Sequence, residues 1–346
     1  SGMRHRVFAL SLRDGATLPG WPIDIADAPA VQRLGFAPRM QNQRGALVLL
    51  DGAVYVPFGG HFGDCGDYHG WIIGLPLAKP PPLMAWRTRA GGGGVWAPGG
   101  VASLDGALWF ATGNTIGAAR WGDGEGVFRL APDLHHSTAP ADFFTPADWR
   151  ELDERDADLG GTNPIPLDVP KRGGGVQRLM LALGKDGRGY LLDRGGLGGI
   201  GGALFTTRVA HAPIITAPAA FTSADGAFVV VRAGAAVCPP GESGDLVALK
   251  IVAGSPPRLS PAWCAAFDGA GIPIVTTSTR AGANPIVWVL GAEGDGRLHA
   301  FRGDTGAPLT ASERLAGLRH FQTLIAADSR LYAAVDDRVY AFAFSP

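Results

Sequence analysis

The sequence predicts an all-β fold built from repeated four-stranded sheets. Glycine (52 residues) and proline (27 residues) are abundant, and they separate short runs of β-branched, aromatic and aliphatic residues, as expected for many short strands joined by tight turns. A strand-like segment also recurs, in which an aromatic or aliphatic residue is followed by Ala, Leu or Phe. Helical periodicity is weak except over residues 146–158, which we expect to form a helical insertion in a loop.

The recurring segment appears at intervals of 41 to 64 residues. This interval is the length of a four-stranded β-propeller blade with loops of variable length. Asp-Gly and Asn-containing turns separate the strands that precede each copy, which is typical of a meander of hairpins. The central positions of the copies are Phe8, Ile72, Phe128, Tyr190, Val247, His299 and Tyr340.

The number of innermost strands sets the number of blades, because the innermost strand of each blade lines the propeller axis. Six such strands are expected, which favours a six-bladed ring, with seven blades as the alternative. Residues 5–25 supply only two strands, and we expect one of them to close the ring by pairing with the last blade. Residues 1–346 then form one propeller domain, with the repeated blades over 45–346. The innermost strands are expected to begin near Ala46, Val101, Pro164, Ala217, Ile272 and Phe321.

Charge and hydropathy argue against two classes of partner. Lysine plus arginine (30) nearly balance aspartate plus glutamate (31), so the formal net charge of −1 offers no long-range attraction for nucleic acid. The sequence contains no uncharged apolar run of roughly 18 residues or more, so no membrane-spanning helix is expected. The first residues also lack the apolar core of a signal peptide.

The cysteines leave the redox compartment open. Three cysteines are too few for a disulfide scaffold. Cys238 and Cys264 could form one bridge, although two buried free thiols are favoured, since unpaired cysteine is often buried.

The densest group of polar residues lies in the segment HFGDCGDYHG. Its imidazole, thiol and carboxylate groups, on His61, Asp64, Cys65 and His69, are weak candidates for holding a zinc-like ion. Their spacing lacks the paired arrangement of strong zinc motifs, so a glycine-shaped hairpin with hydrogen-bonded turns is favoured. Cys65 and a neighbouring histidine could also act as nucleophile and base, but no oxyanion donors are evident.

Five residues near the expected channel could contact a ligand. The glycine run 91–94 would let the chain approach the axis, so that the next aromatic ring lies near the channel mouth and either packs there or faces a planar ligand. The lysine of the turn GKDG could reach a ligand carboxylate. The ligand-binding candidates are Arg44, Trp96, Asn163, Lys185 and His320.

Five long segments carry a family resemblance, and they cover most of the chain from about Arg6 onward. They are NQRGALVLLDGAVYVPFGGHFGDCGDYHGWIIGL from Asn42, GGGGVWAPGGVASLDGALWFATGN from Gly91, DFFTPADWRELDERDADLGG from Asp142, LGKDGRGYLLDR from Leu183 and IVWVLGAEGDGRLHAF from Ile286. Together they resemble the quinoprotein alcohol dehydrogenase-like propellers, specifically an uncharacterised bacterial branch with repeats of the pyrroloquinoline-quinone (PQQ) type.

The resemblance implies the propeller fold and a periplasmic or secreted location. Quinone-dependent members of the family hold PQQ with a calcium ion on the propeller axis, next to a disulfide between adjacent cysteines. This sequence has no adjacent cysteines and no matching calcium set, so no bound cofactor is expected. Family members are longer, with about one and a half further blades upstream, so the chain is expected to be a fragment or a shortened version.

Three classes of function follow from these observations. The favoured one is a ligand- or protein-binding module without a bound cofactor, because propellers present wide faces rich in loops. The first alternative is a quinone- or metal-dependent oxidoreductase that uses PQQ with calcium. The second alternative is a hydrolase or lyase that acts at the channel mouth. The fold does not choose among them, since one architecture hosts many chemistries.

Overall fold

The structure is a computed structural model, and it describes residues 2–78, 82–223, 225–270, 273–278 and 283–343. Strands dominate these residues, and helices are short. Most strands join in antiparallel sheets that follow one another along the chain. The prediction of an all-β fold with four-stranded sheets is confirmed.

We number the larger sheets in chain order as blades 1 to 6. Two short strands precede them, β1 (Arg6–Val7) and β2 (Ile23–Asp24). Blade 1 consists of β3 (Val48–Leu50), β4 (Ala53–Phe58), β5 (Trp71–Pro76) and β6 (Met84–Arg87). Blade 2 consists of β7 (Ala102–Leu104), β8 (Ala107–Ala111), β9 (Val127–Leu130) and β10 (Phe143–Thr145). Blade 3 consists of β11 (Ile165–Pro170), β12 (Val176–Leu183), β13 (Arg188–Asp193) and β15 (Phe205–Arg208). Between its last two strands, β14 (Gly199–Ile200) crosses over and pairs in parallel with β10 of blade 2.

The later blades repeat the pattern. Blade 4 consists of β16 (Ala219–Ser223), β17 (Gly226–Arg232), β18 (Leu246–Val252) and β19 (Arg258–Ala265). Blade 5 consists of β20 (Ile274–Thr277), β21 (Ile286–Leu290), β22 (Leu298–Arg302) and β23 (Pro308–Ala311). Blade 6 consists of β24 (Leu324–Ala327), β25 (Arg330–Ala334) and β26 (Val339–Ala343).

Asp-Gly pairs form the tight turns of two innermost hairpins. Asp51 and Gly52, between β3 and β4, have φ values of +48° and +72°. Asp105 and Gly106 between β7 and β8 have φ values of +55° and +69°. Two successive residues with positive φ make the turn whose twist matches paired strands, and Asp-Gly tolerates that conformation. The turns therefore form where the sequence predicts them.

The core consists of apolar layers between neighbouring blades. Leu108 and Phe110 of β8 pack towards blade 1, and Trp109 and Ala111 of the same strand pack towards blade 3. All four are at most 2% exposed. Successive side chains of a strand point to opposite faces, so a strand buried on both faces has a continuous apolar sequence, as ALWFA does.

The innermost strands of successive blades lie beside one another. β3, β7, β11 and β16 begin at or within two residues of the expected positions, and β24 begins three residues after Phe321. The expected start near Ile272 lies outside the described residues, and β20 begins at Ile274. The number of blades in the ring and its closure stay predictions.

The N-terminal segment covers blade 1. Strands β1 and β2 pair with each other, and the following residues Ile25 and Phe36 pack on Phe58 and Trp71 of blade 1. The ring centroid of Phe36 lies 5.2 Å from that of Trp71. The short helix α1 (Pro29–Arg33) belongs to the same cover. Within the described residues no pairing of an N-terminal strand with the last blade is seen, so the expected closure of the ring by such a strand is not confirmed.

The expected helical insertion is present. Helix α2 (Trp149–Glu154) lies between β10 and β11 and buries Trp149 and Leu152. A short 3₁₀ turn, Leu159–Gly161, follows it. No helix in the described parts of the chain is long and apolar enough to cross a membrane.

Cys238 and Cys264 form a disulfide, so the preference for two free thiols was wrong. Cys264 lies in β19, and Cys238 follows β17 in the same blade, which brings their Cα atoms to 5.7 Å. This Cα–Cα distance is within the range of disulfides. The two cysteines are 26 residues apart in the sequence, and this separation alone does not indicate that they are neighbours in the fold. Cys65 is free and exposed.

Shortening a buried side chain of the N-terminal segment should destabilise the protein. Ile25 is 1% exposed, so Ile25→Ala should lower the free energy of unfolding by about 2–5 kcal/mol through the cavity that it leaves. The matched control Ile116→Ala, at a 51% exposed position, should change it by less than about 0.5 kcal/mol. Urea denaturation measures both, and equal small effects would show that the segment does not hold to blade 1.

Candidate functional site

A pocket opens at one end of blades 1 to 3, with a cavity volume of about 310 Å³. The segments before the innermost strands and the loops between second and third strands meet at this end, because antiparallel strands alternate in direction. We call this cavity the mouth pocket and define it by the lining residues Arg44, Tyr68, Trp96, Asn114, Asp158 and Lys185.

Glycine allows the chain segments around the pocket to approach closely. Gly113 lies two residues after the end of β8. A Cβ atom there would lie 2.3 Å from Oδ1 of Asp158 and 2.9 Å from Nε1 of Trp96. No side chain fits at such distances. Gly92 and Gly93 have φ values of +80° and +65°, a region that glycine enters without steric cost. The glycine run precedes Trp96, which lines the mouth pocket.

Two cations lie over the indole ring of Trp96. The guanidinium carbon of Arg44 is 4.6 Å from the ring centroid, and Nζ of Lys185 is 5.3 Å from it. Nε of Arg44 also donates a hydrogen bond to the carbonyl oxygen of Trp96, at 2.9 Å. Cations favour the face of an aromatic ring. The structure thus brings three of the five predicted ligand-binding candidates together.

Lys185 forms an ion pair with Asp158 and a second one with Asp156, at 3.1 Å. The side chain of Asp158 is only 2% exposed, and its Oδ1 also accepts a hydrogen bond from the amide of Asn114, at 2.7 Å. Burial raises the pKa of Asp158 to about 6, although the charge of Lys185 opposes the shift. A buried pair of this kind links blade 3 to the loops of blade 2.

A second buried carboxyl group, Glu125, lies near Asp158. Its Oε2 accepts a hydrogen bond from the amide of Leu159, at 2.5 Å, while Oε1 is buried without a partner among the described residues. Burial raises the pKa of Glu125 well above its usual value, and the charge of Asp158 raises it further. Two buried carboxylates repel each other, which favours the protonated form of Glu125.

The other two ligand-binding candidates lie outside the mouth pocket. Asn163 packs against Gly99, where a Cβ atom would lie 1.9 Å from its Oδ1, and this oxygen is buried without a hydrogen-bond partner in the described ranges. His320 lies 2.7 Å from Glu293 through its Nδ1 and belongs to a separate surface cavity.

The structure does not gather the weak metal candidates into a metal site. Nδ1 of His69 donates to the carbonyl oxygen of Thr88, at 3.0 Å, and burial lowers the pKa of this imidazole. Asp64 accepts a hydrogen bond from the hydroxyl of Tyr68, at 2.6 Å. Cys65 is exposed, and only His61 and Asp64 of the four line the mouth pocket. Within the described residues, no group of three or more His, Cys, Asp or Glu side chains could hold a metal ion.

Sequence reasoning missed Asp158 and Asn114. Asp158 stands in the acidic run DERDAD, which contains four acidic residues, and nothing in that run marks one carboxylate as buried. Its burial arises where blade 3 packs on the loops of blade 2. The preceding insertion and the following pair Gly160-Gly161 are the only local signals, and they indicate a close approach of backbones without naming the residue.

Comparison with known proteins identifies the fold. No family model matches the sequence, and no curated protein matches it either. Among solved structures, the quinohemoprotein alcohol dehydrogenase of Comamonas testosteroni superposes with a TM-score of 0.57 at 16% identity, over 95% of this chain and 60% of that one. The fold is a β-propeller. A europium-containing methanol dehydrogenase follows, with a TM-score of 0.55 and 14% identity, over 95% of this chain and 69% of that chain.

The likeness extends beyond enzymes. A chain of the mitotic checkpoint complex matches this propeller with a TM-score of 0.53 and 9% identity, over 97% of this chain and 80% of that one. Identities this low establish the fold alone. The chain also spans only 60% of the length of the quinohemoprotein dehydrogenase that it matches. The activity of that enzyme is therefore not transferred to it.

The charges of the mouth pocket do not suit PQQ with calcium. Asp64, Asp156 and Asp158 line the pocket with two cations, Arg44 and Lys185, and Lys185 already pairs with two of these acids. PQQ would bring three further carboxylates, and burying unpaired charge is costly. The described residues also offer no cluster of acids for the calcium ion. The residues present therefore do not fit the quinone and its metal.

Removing the cation from the buried pair should destabilise the protein in a pH-dependent way. Lys185→Met leaves Asp158 buried without its partner and should lower the free energy of unfolding by about 3 kcal/mol at pH 8. Asp158 has a pKa of about 6 when folded and about 4 when unfolded. Removing Lys185 raises this folded pKa further, because the lysine charge opposes the upward shift. The folded variant therefore takes up a proton at a higher pH than the native protein, so the loss of stability becomes smaller as the pH falls from 8 to 5.

Urea denaturation at pH 8 and pH 5 measures this effect, with Lys171→Met as control because Lys171 is exposed. The control should be neutral at both pH values. An equal loss at pH 8 and pH 5 for Lys185→Met would mean that Asp158 does not carry the buried charge.

Proposed function

We propose that this propeller is a binding module whose mouth pocket takes a small monoanionic molecule and needs no resident cofactor. The observation that carries the proposal is that Arg44 has no anionic partner among the described residues. Arg44 lines the pocket, and its Nε donates a hydrogen bond to the carbonyl oxygen of Trp96. No carboxylate of the described chain lies within ion-pairing distance of it.

Arg44 is therefore a cation with unused donors. A guanidinium has five N–H groups, and a charged anion that accepts two of them is bound more strongly than a neutral group. Surrounding protein lowers the pKa of Arg44 by desolvation, yet arginine stays charged in proteins. Arg44 is also exposed at the pocket opening, so its free N–H groups are accessible to a ligand.

The neighbouring groups support a small organic ligand. Besides the charged residues, Trp96 and Asn114 line the pocket. The pocket has room for a small molecule at about 310 Å³, near the lower end of known ligand sites. The three carboxylates along the wall disfavour ligands with several negative charges, so a single negative charge fits best.

An aromatic monoanion tests the pocket. The fluorescent probe 8-anilinonaphthalene-1-sulfonate should bind the native protein with one-to-one stoichiometry, because it pairs a ring for Trp96 with a single charge for Arg44. Asn114→Asp should weaken binding about tenfold by placing a further negative charge in the pocket. The control Thr305→Asp adds the same charge in an exposed turn, where Asp can still accept the hydrogen bond from the amide of Ala307.

Near-ultraviolet circular dichroism must match among the variants, because this probe also stains loosely packed states. If the probe does not bind the native protein, or if both variants bind it equally, the proposed pocket is wrong.

PQQ itself should bind weakly or not at all. With calcium present, calorimetric titration should show no saturable one-to-one binding at submicromolar concentration, because the pocket cannot neutralise three carboxylates. Saturable binding at that level would overturn the proposal and make a quinone-dependent oxidoreductase the leading function.

A further inference from the structure

A second cavity, of about 260 Å³, adjoins Arg44 and lies between the innermost segments of several blades. The segments that begin the innermost strands of blades 1, 2, 4, 5 and 6 contribute to it. We call it the axial cavity. Its apolar wall consists of Ala46, Pro98, Ala217, Pro273, Leu324 and Ile325. The axial cavity is therefore mostly apolar, in contrast to the mouth pocket with its five charged side chains.

Arg44 lines both cavities. Its guanidinium carbon lies 4.6 Å from the ring of Trp96 on the mouth side and 5.1 Å from the ring of Phe321, which lines the axial cavity. These rings occupy the space beside the guanidinium carbon. An anion is then expected to approach along the N–H edge, in the plane of the guanidinium. A planar carboxylate matches this approach with two parallel hydrogen bonds.

Phe321, which lines the axial cavity, has a strained backbone. Phe321 has a φ of +63°, a conformation that is unusual for a bulky residue. Its side chain is 41% exposed, so the conformation does not serve to bury the ring in the core. Strain of this kind tends to concentrate at ligand sites. The strained residue and Arg44 line the same cavity.

We propose that the channel binds a medium-chain monocarboxylate, with its carboxylate on Arg44 and its aliphatic chain in the axial cavity. This inference rests on the proposed function, because it assigns a ligand class to the same arginine. The apolar wall favours a hydrocarbon chain over a sugar or a peptide, since polar groups in it would lose hydrogen bonds. The small volume favours a medium chain over a long one.

Isothermal titration calorimetry with butanoate, hexanoate, octanoate and octan-1-ol tests both parts of the ligand. Affinity should rise about fourfold per added methylene from butanoate to octanoate, because each methylene leaves water. Octanoate should bind about tenfold more tightly than octan-1-ol, which has no charge for Arg44. Affinity that is independent of chain length, or equal for acid and alcohol, would overturn the inference.

Two kinds of variant test the carboxylate and the aliphatic part of the ligand separately. Arg44→Gln should bring the affinities for octanoate and octan-1-ol to within about twofold, while the exposed control Arg39→Gln should leave them unchanged. Ile325→Trp should fill the axial cavity and abolish the chain-length dependence. Ile325 is 50% exposed, so a larger side chain there does not disturb the core. Ala217→Leu is a second filling variant, and chain-length dependence that survives in both contradicts the inference.

The fluorescent sulfonate distinguishes the two ways to fail. If it binds and responds to Asn114→Asp while octanoate shows no chain-length dependence, the mouth pocket stands and the axial site is wrong. If neither ligand binds, the proposed function is wrong as well.

Discussion

The structure depends on apolar layers that each pair of neighbouring blades shares. Leu179 and Leu181 of β12 pack with Val229 and Val231 of β17 between blades 3 and 4, while Met180, between the two leucines, packs towards blade 2. Because the period of a strand is two, one strand supplies two layers. A blade therefore has no complete core of its own. The position of a blade is set by the neighbouring blades on both sides, and it determines where the loops of that blade lie.

The mouth pocket is a consequence of this arrangement. Layers between blades hold the loops of blades 1, 2 and 3 at fixed distances, and glycine removes the side chains that would keep them apart. Within that space, the charged side chains determine which ligands the pocket can bind. Lys185 is neutralised by Asp158 and Asp156, whereas Arg44 rests on aromatic rings. The two cations predicted to contact a ligand thus differ in chemistry, and the difference arises from their neighbours.

The sequence predicted features that depend on local residues. Asp-Gly turns, continuous apolar strands and the helical insertion follow from a few adjacent side chains. Features that depend on distant segments were missed. Burial of Asp158 and the pairing of Cys238 with Cys264 require the register of a whole blade. The contacts of residues 5–25 could not be derived from the sequence, because two short strands can pair with an open edge or with each other. The apolar residues Ile25 and Phe36, which follow these strands, hold the segment against blade 1.

The N-terminal cover has a consequence for how the chain folds. Its partners Phe58 and Trp71 lie within about fifty residues of Ile25, so these contacts are local in sequence compared with any contact that would join the first blade to the last. Local contacts form with a smaller loss of chain entropy. During synthesis, blade 1 can therefore bury its outer face before the later blades exist. Each following blade can then add to an apolar surface that is already in place.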